Sequence, residues 1–260
     1  MPTRSAPDAA REGIAKWGDA EWRLRCDLAA LYRLADRFGM SDLIYTHISA
    51  RAPGDHDRFL INPFGTLFKD ITASSLVLID GEGAIVDPHA APGVRVNPAG
   101  FVIHSAVHLA RPDIACVIHA HSDAGMAVSA QRDGLLPLTQ HAMMFTGRVA
   151  YHDYRSFADR VEERAIIAGD MGDRDILILR NHGTLVAGRS IGEAFHHAWH
   201  LERACRAQIA AQSGGAALNL PNPGVPEETA RRMAGIPPAH FEMFWNSCLE
   251  LLDGDREYRC

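Results

Sequence analysis

The chain has 260 residues, 47% of them hydrophobic and 22% charged, with a formal net charge of −6. A chain of this length hides roughly 70–75% of its unfolded surface on folding, so its core needs no disulfide or metal staple. The acidic balance, without any basic run, excludes a generic nucleic-acid binder, and no stretch of about 18 uninterrupted apolar residues marks a membrane span.

Residues 1–18 are polar and Ala-rich and are expected to form a flexible leader with no apolar signal region. From Glu21 to Phe38 the apolar residues Trp22, Cys26, Ala29, Tyr32, Leu34, Ala35 and Phe38 recur near helical spacing, and Gly39 stops the helix. Short β-type runs follow at Leu43–Ser49 and Phe59–Asn62. Leu76–Ile79 and Ala84–Val86 are joined by Asp80-Gly81-Glu82-Gly83 into a hairpin. A proline-marked loop leads to a helix at Phe101–Ala110 and a buried strand at Ile114–Ile118 that runs into His119-Ala120-His121. Helices are expected over residues 122–131 and 156–169, joined by a Gly/Pro-containing connection, then strands at Ile176–Leu179 and Thr184–Ala187 around the turn Asn181-His182-Gly183. Ser190 caps a long helix, Ile191–Gln212, and the Pro-rich stretch 221–226 leads into a helical tail. Strands and helices interleave throughout, which defines an α/β protein with one main sheet between helices, and the hairpins argue against a doubly wound parallel fold.

The chain has two lysines, Lys16 and Lys69, but fourteen histidines. Any Schiff-base route is therefore confined to two positions, whereas metal or proton chemistry is well provided for. Five scattered cysteines without a CxxC spacing read as reduced thiols of a cytoplasmic protein. In extended backbone residues i and i+2 share a face, so His119 and His121 stand side by side, and His182 at a second strand end offers a third imidazole. Such a nitrogen set suits Zn²⁺, Fe²⁺ or Mn²⁺ with positions left for substrate. His104 and His108 form one i,i+4 pair, with His104 expected to face the site. His196 and His200 form another, on the long helix beside His197.

The motifs Tyr45-Thr46-His47-Ile48-Ser49-Ala50-Arg51, Leu60-Ile61-Asn62-Pro63-Phe64-Gly65, Asn97-Pro98-Ala99-Gly100-Phe101-Val102-Ile103-His104, His119-Ala120-His121, Val149-Ala150-Tyr151-His152-Asp153-Tyr154 and Arg180-Asn181-His182-Gly183 come in order. Together they resemble the class II aldolase/adducin domain family, closest to its adducin-like branch, over roughly residues 20–215. The resemblance implies a three-layer αβα sandwich around a largely antiparallel sheet. The folded domain would span 19–215, and a helical extension, 216–260, would pack on it or on a neighbouring subunit. It also implies a homotetramer with sites between subunits and a divalent metal on His119, His121 and His182. Asn62, Gly65, Arg51, His104 and Gly100 are then expected to contact substrate.

Where the family's sugar-phosphate aldolases carry a catalytic glutamate this chain has Gly100. Their phosphate-holding hydroxyl residues are here Pro98 and Ala99, and a Gly-Asn pair reads Thr46-His47. Their catalytic tyrosine, contributed across a subunit interface, aligns with His141. These departures point to a metal-dependent lyase (an aldolase, retro-aldolase or decarboxylase) acting on a non-phosphorylated hydroxy- or keto-acid. His141 or His47 would move the proton, and Arg51 and Arg180 are possible carboxylate clamps. A mononuclear non-haem iron oxygenase on an aromatic hydroxy- or keto-acid, and a non-catalytic adducin-like assembly domain, are the alternatives. No nucleic-acid or membrane partner is expected.

Overall fold

The computed structural model describes residues 6–155, 160–255 and 257–260. These form seven strands and eight helices: α1 Ala6–Arg37, β1 His47–Arg51, β2 Phe59–Ile61, β3 Val77–Ile79, α2 Pro98–Ala110, β4 Cys116–Ala120, α3 Asp123–Ser129, α4 Gln140–Met143, β5 Val149–His152, α5 Glu163–Met171, β6 Ile176–Leu179, β7 Gly183–Gly188, α6 Ile191–Ser213, α7 Val225–Ala234 and α8 Pro238–Leu249. The strands make one sheet in the order β3-β2-β1-β4-β7-β6-β5. Every pairing is antiparallel except β5 with β6. The expected three-layer sandwich with a largely antiparallel sheet is therefore observed.

The period-2 alternation of the strands sorts side chains into two cores. Ile48, Ala50, Cys116, Ile118, Ile176, Ile178 and Val186 pack with α1 and α6 on one face. Val117, Leu177, Leu179, Leu185 and Ala187 pack with Ile103, Ala106 and Val107 of α2 and Ile167 of α5 on the other. His47 and His119 lie on the α2 side by the same alternation, and they are direct partners in the β1–β4 ladder. The sheet pairing alone thus brings the two histidines together.

Three segments differ from expectation. Ala84–Val86, the expected second arm of a hairpin, forms no strand and pairs with β3 only through an isolated bridge between Ile85 and Ile79. Residues 6–18 are helical rather than frayed and continue into the predicted helix across Gly18, whose φ of 77° kinks it. Alanine is the best helix former, and the segment is anchored where the Trp17 ring stacks on Trp22 at 5.6 Å and its Nε1 donates to Asp87. The predicted plain connection before residue 156 contains α4 and β5. The helix expected over 156–169 is observed as α5, and its predicted start, 156–159, lies outside the described residues.

The C-terminal extension packs on the chain's own domain. Phe241 and Trp245 of α8 are buried, with Trp245 against Phe195 of α6, and the Ala73 amide donates to the Tyr258 carbonyl. No helix among the described residues is long and apolar enough to cross a membrane. All five cysteines are free.

Candidate metal centre and substrate cavity

His119 is placed by β4, His121 follows its last residue, and His182 precedes β7. The turn holding His182 needs a left-handed residue, and Asn181 (φ 57°) supplies it, as its short polar side chain allows. Gly183 then lets the two strand ends close: an added Cβ would lie 2.5 Å from the Ala120 carbonyl oxygen and 3.1 Å from His121 Cδ2. The result is a convergence of three imidazoles. His121 Nε2 lies 2.8 Å from His119 Nε2 and 2.9 Å from His182 Nε2.

The ring protons of His119 and His121 are accounted for by their outer contacts. His119 Nδ1 donates to the Thr184 carbonyl at 3.0 Å, and His121 Nδ1 donates to Asp42 Oδ2 at 3.0 Å. With one proton on each ring, both Nε2 atoms present lone pairs, and lone pairs at 2.8 Å repel unless a cation lies between them. A nitrogen cluster oriented from behind by a carbonyl and a carboxylate is the donor set of a transition-metal site. The residues present therefore fit a divalent metal. Among the described residues this is the one group of three or more ligating side chains close enough to share an ion.

Burial and the neighbouring imidazoles hold His119 well below its ordinary value and push His182 down to about 4. Burial likewise lowers His47 and His104, and takes His108 to about 3. Each folded-state value lies below 6.5, so on acidification the unfolded chain takes up protons first. The metal-free protein is therefore expected to hold full stability above about pH 6.5 and to lose it as the pH falls towards about 4. Urea midpoints at pH 7 and pH 5 check this; an unchanged midpoint would show that these imidazoles are not buried neutral.

A cavity of about 520 Å³ opens beside the triad. Asp42, Tyr45, His47, Phe64, Met126 and Tyr154 are among its lining residues, with Asn97, Pro98 and Ala99 from the start of α2, and no Arg or Lys lines it among the described residues. That helix end offers little to a phosphate. Pro98 has no N–H, and the Ala99 amide is taken by the Asn97 side chain at 3.2 Å.

The residues expected to contact substrate are distributed differently. His47 lines the cavity, its ring 4.9 Å from that of His119. His104 is fully buried behind it, with Nε2 2.9 Å from His47 Nδ1. Gly100 abuts the His47 ring. Asn62 is buried and bonds the Tyr32 hydroxyl, which also receives the amides of Ile48 and Asn62. Gly65, with φ 95°, makes a turn outside the cavity lining.

Arg51 does not line the cavity within this chain. Its guanidinium donates to the carbonyls of His56, His108, Arg111 and Ile114, because the last residue of β1 faces loop ends rather than the cavity. Arg180 likewise donates to the carbonyls of Gln131 and Arg132 and lies over the Tyr151 ring. His141, on α4, stacks on His200 of α6 and does not join the triad within one chain.

Comparison with known proteins agrees with the fold. Residues 26–209 match the class II aldolase and adducin N-terminal domain, and the chain belongs to that family. It is similar to an aldolase II superfamily protein from Pseudomonas syringae, with 48% identity and TM-score 0.87 over 93% of this chain and 96% of that one. It is also similar to the L-fuculose 1-phosphate aldolase of Glaciozyma antarctica, with 27% identity and TM-score 0.80 over 100% and 97% of the two chains. Alpha-adducin of Rattus norvegicus is 47% identical over 205 residues, 77% of this chain but 28% of adducin's own length.

Proposed function

We propose that this protein is a divalent-metal-dependent carbon–carbon lyase acting on a small, non-phosphorylated hydroxy- or keto-acid. The observation that carries this reading is the convergence of three Nε2 atoms at the wall of an open cavity that a further imidazole, His47, also lines. His119, His121 and His182 would hold the metal, which when bound supplies Lewis acidity toward a substrate oxygen. His47 is placed to take or return a proton, in the role the missing carboxylate plays in sugar-phosphate aldolases. Tyr45, Phe64, Met126 and Tyr154 provide an apolar surface for the substrate's carbon skeleton. The cavity and the start of α2 support a substrate without phosphate.

His141 acts in the same site only if a neighbouring subunit brings it there, as a homotetramer with sites between subunits would. The chemistry is tested by incubating metal-loaded protein with hydroxy- and keto-acids and following carbon–carbon cleavage. His47→Asn should lower turnover at least about 100-fold while metal content stays unchanged. Protein that keeps its metal and cleaves none of these acids would overturn the lyase and leave an assembly role, as would be fitting for an adducin relative. Oxygen uptake with iron and not with zinc would assign it to an oxygenase instead.

A further inference from the structure

We infer that the acid taken by this site carries an aromatic ring, lying against Tyr45, Phe64, Met126 and Tyr154 while its hydroxy- or keto-acid end meets the triad; this rests on the proposed reading of the cavity as the substrate site. Size gives the first argument. At about one water's share of volume per non-hydrogen atom, on the order of 30 Å³, a three-carbon hydroxy acid takes up about 180 Å³. That is roughly a third of the 520 Å³ cavity. A phenyl ring added to the same acid doubles its atoms and brings the fill to about two thirds, so that the cavity covers most of the ligand, as small-molecule sites do.

The lining gives the second. Tyr154 stands directly beside the triad, its ring 6.3 Å from that of His182 and close to perpendicular to it. Tyr45 is tied to the triad through Asp42: its amide closes a turn onto the Asp42 carbonyl, and the Asp42 carboxylate faces His121 Nδ1. A head group at the triad therefore leaves the rest of the molecule next to these rings. Both tyrosines are half-exposed, which is apolar surface for a ligand to cover. Three aromatic rings and a thioether favour a planar π system over an aliphatic chain, because the ring gains aromatic and sulfur contacts beyond the area it buries.

Polar groups give the third. Each hydroxyl of a polyhydroxy chain needs a partner once it is covered. Of the polar lining side chains other than the imidazoles, Asp42 is engaged by His121 and Asn97 by the Ala99 amide. Asn181 and the two tyrosine hydroxyls remain, too few for a sugar-like chain.

Calorimetric titration of zinc-loaded protein with lactate, phenyllactate and gluconate tests this. The three share a hydroxy-acid end and carry, beyond it, a methyl group, a benzyl group and a polyhydroxy chain. Phenyllactate should bind at least about tenfold more tightly than lactate, and gluconate no more tightly than lactate. In Tyr45→Ala/Tyr154→Ala, at equal zinc content, the preference for phenyllactate over lactate should fall at least about threefold. Met126→Ala replaces that variant should it fail to fold. Lactate and phenyllactate of equal affinity, or gluconate the tightest of the three, would overturn the aromatic body while leaving the cavity's reading as an acid site in place. Wild type that binds none of the three would overturn that reading as well. An unchanged preference in the variant would also overturn the proposal, and altered assembly by light scattering would then assign the rings to contact with a second copy of the chain.

Discussion

His121→Ala is expected to abolish stoichiometric metal binding and, at the same time, to leave the metal-free protein at least as stable as wild type. The first half follows from the geometry: His121 Nε2 is the atom within 3 Å of both other ligands. Changes in the groups behind ligands already cost about 10–100-fold in affinity, so loss of the central ligand should exceed 100-fold. The second half follows from the proton count. Without a cation the lone pairs of His119 and His121 repel, and removing the His121 ring relieves them. Wild type should therefore show a large rise in melting temperature on adding zinc, and His121→Ala none. Asp42→Asn, which keeps the ligand and weakens its outer partner, should fall between them. A metal-free His121→Ala protein markedly less stable than metal-free wild type would mean that the three rings are held by hydrogen bonds among themselves and not arranged for an ion.

Gly183→Ala should be among the most damaging single-methyl additions in this chain. The new Cβ meets the Ala120 carbonyl oxygen at 2.5 Å, a backbone atom between two ladder strands that has no rotamer to yield. Relief requires β4 and β7 to part at the end where they deliver His119, His121 and His182. A loss of about 3 kcal/mol or more is expected, with a melting temperature lower by roughly 6–12 °C, and with weakened metal binding. Gly169→Ala provides the contrast: that glycine lies on α5 with open space around its Cβ position, so alanine there should be neutral or stabilising. Denaturant midpoints with and without zinc separate the two effects. A Gly183→Ala protein with wild-type midpoint and metal affinity would refute the close-approach account of the turn.

These two expectations rest on features of different legibility. The triad can be read from the sequence because H-x-H at a strand end and a histidine within an Asn-His-Gly turn are local patterns with a fixed geometric meaning. The partners that orient the triad are not local. Asp42 lies before β1, some eighty positions from the histidine it serves, and nothing in its neighbourhood distinguishes it from a surface aspartate. Tyr45 and Tyr154 are likewise visible as wall residues only after β1 and β5 are assembled in one sheet.

Arg51 shows the opposite case. A guanidinium near a metal motif suggests a carboxylate clamp, yet four carbonyl oxygens at loop ends satisfy it first. The strand β5 escaped pattern reading because four residues with a mixed burial pattern carry little periodicity, and their pairing partner β6 lies more than twenty residues away. The leader shows how a polar, Ala-rich segment can be helical when one aromatic pair anchors it.

The central claim is that His119, His121 and His182 hold one divalent metal ion per chain. Elemental analysis of protein purified without chelator, beside His119→Ala prepared in the same way, tests it most directly. The account predicts about one equivalent of a first-row transition metal in wild type, or after reconstitution, and none in the variant. Wild type that holds no stoichiometric metal even after reconstitution, or a variant that holds as much, would contradict it.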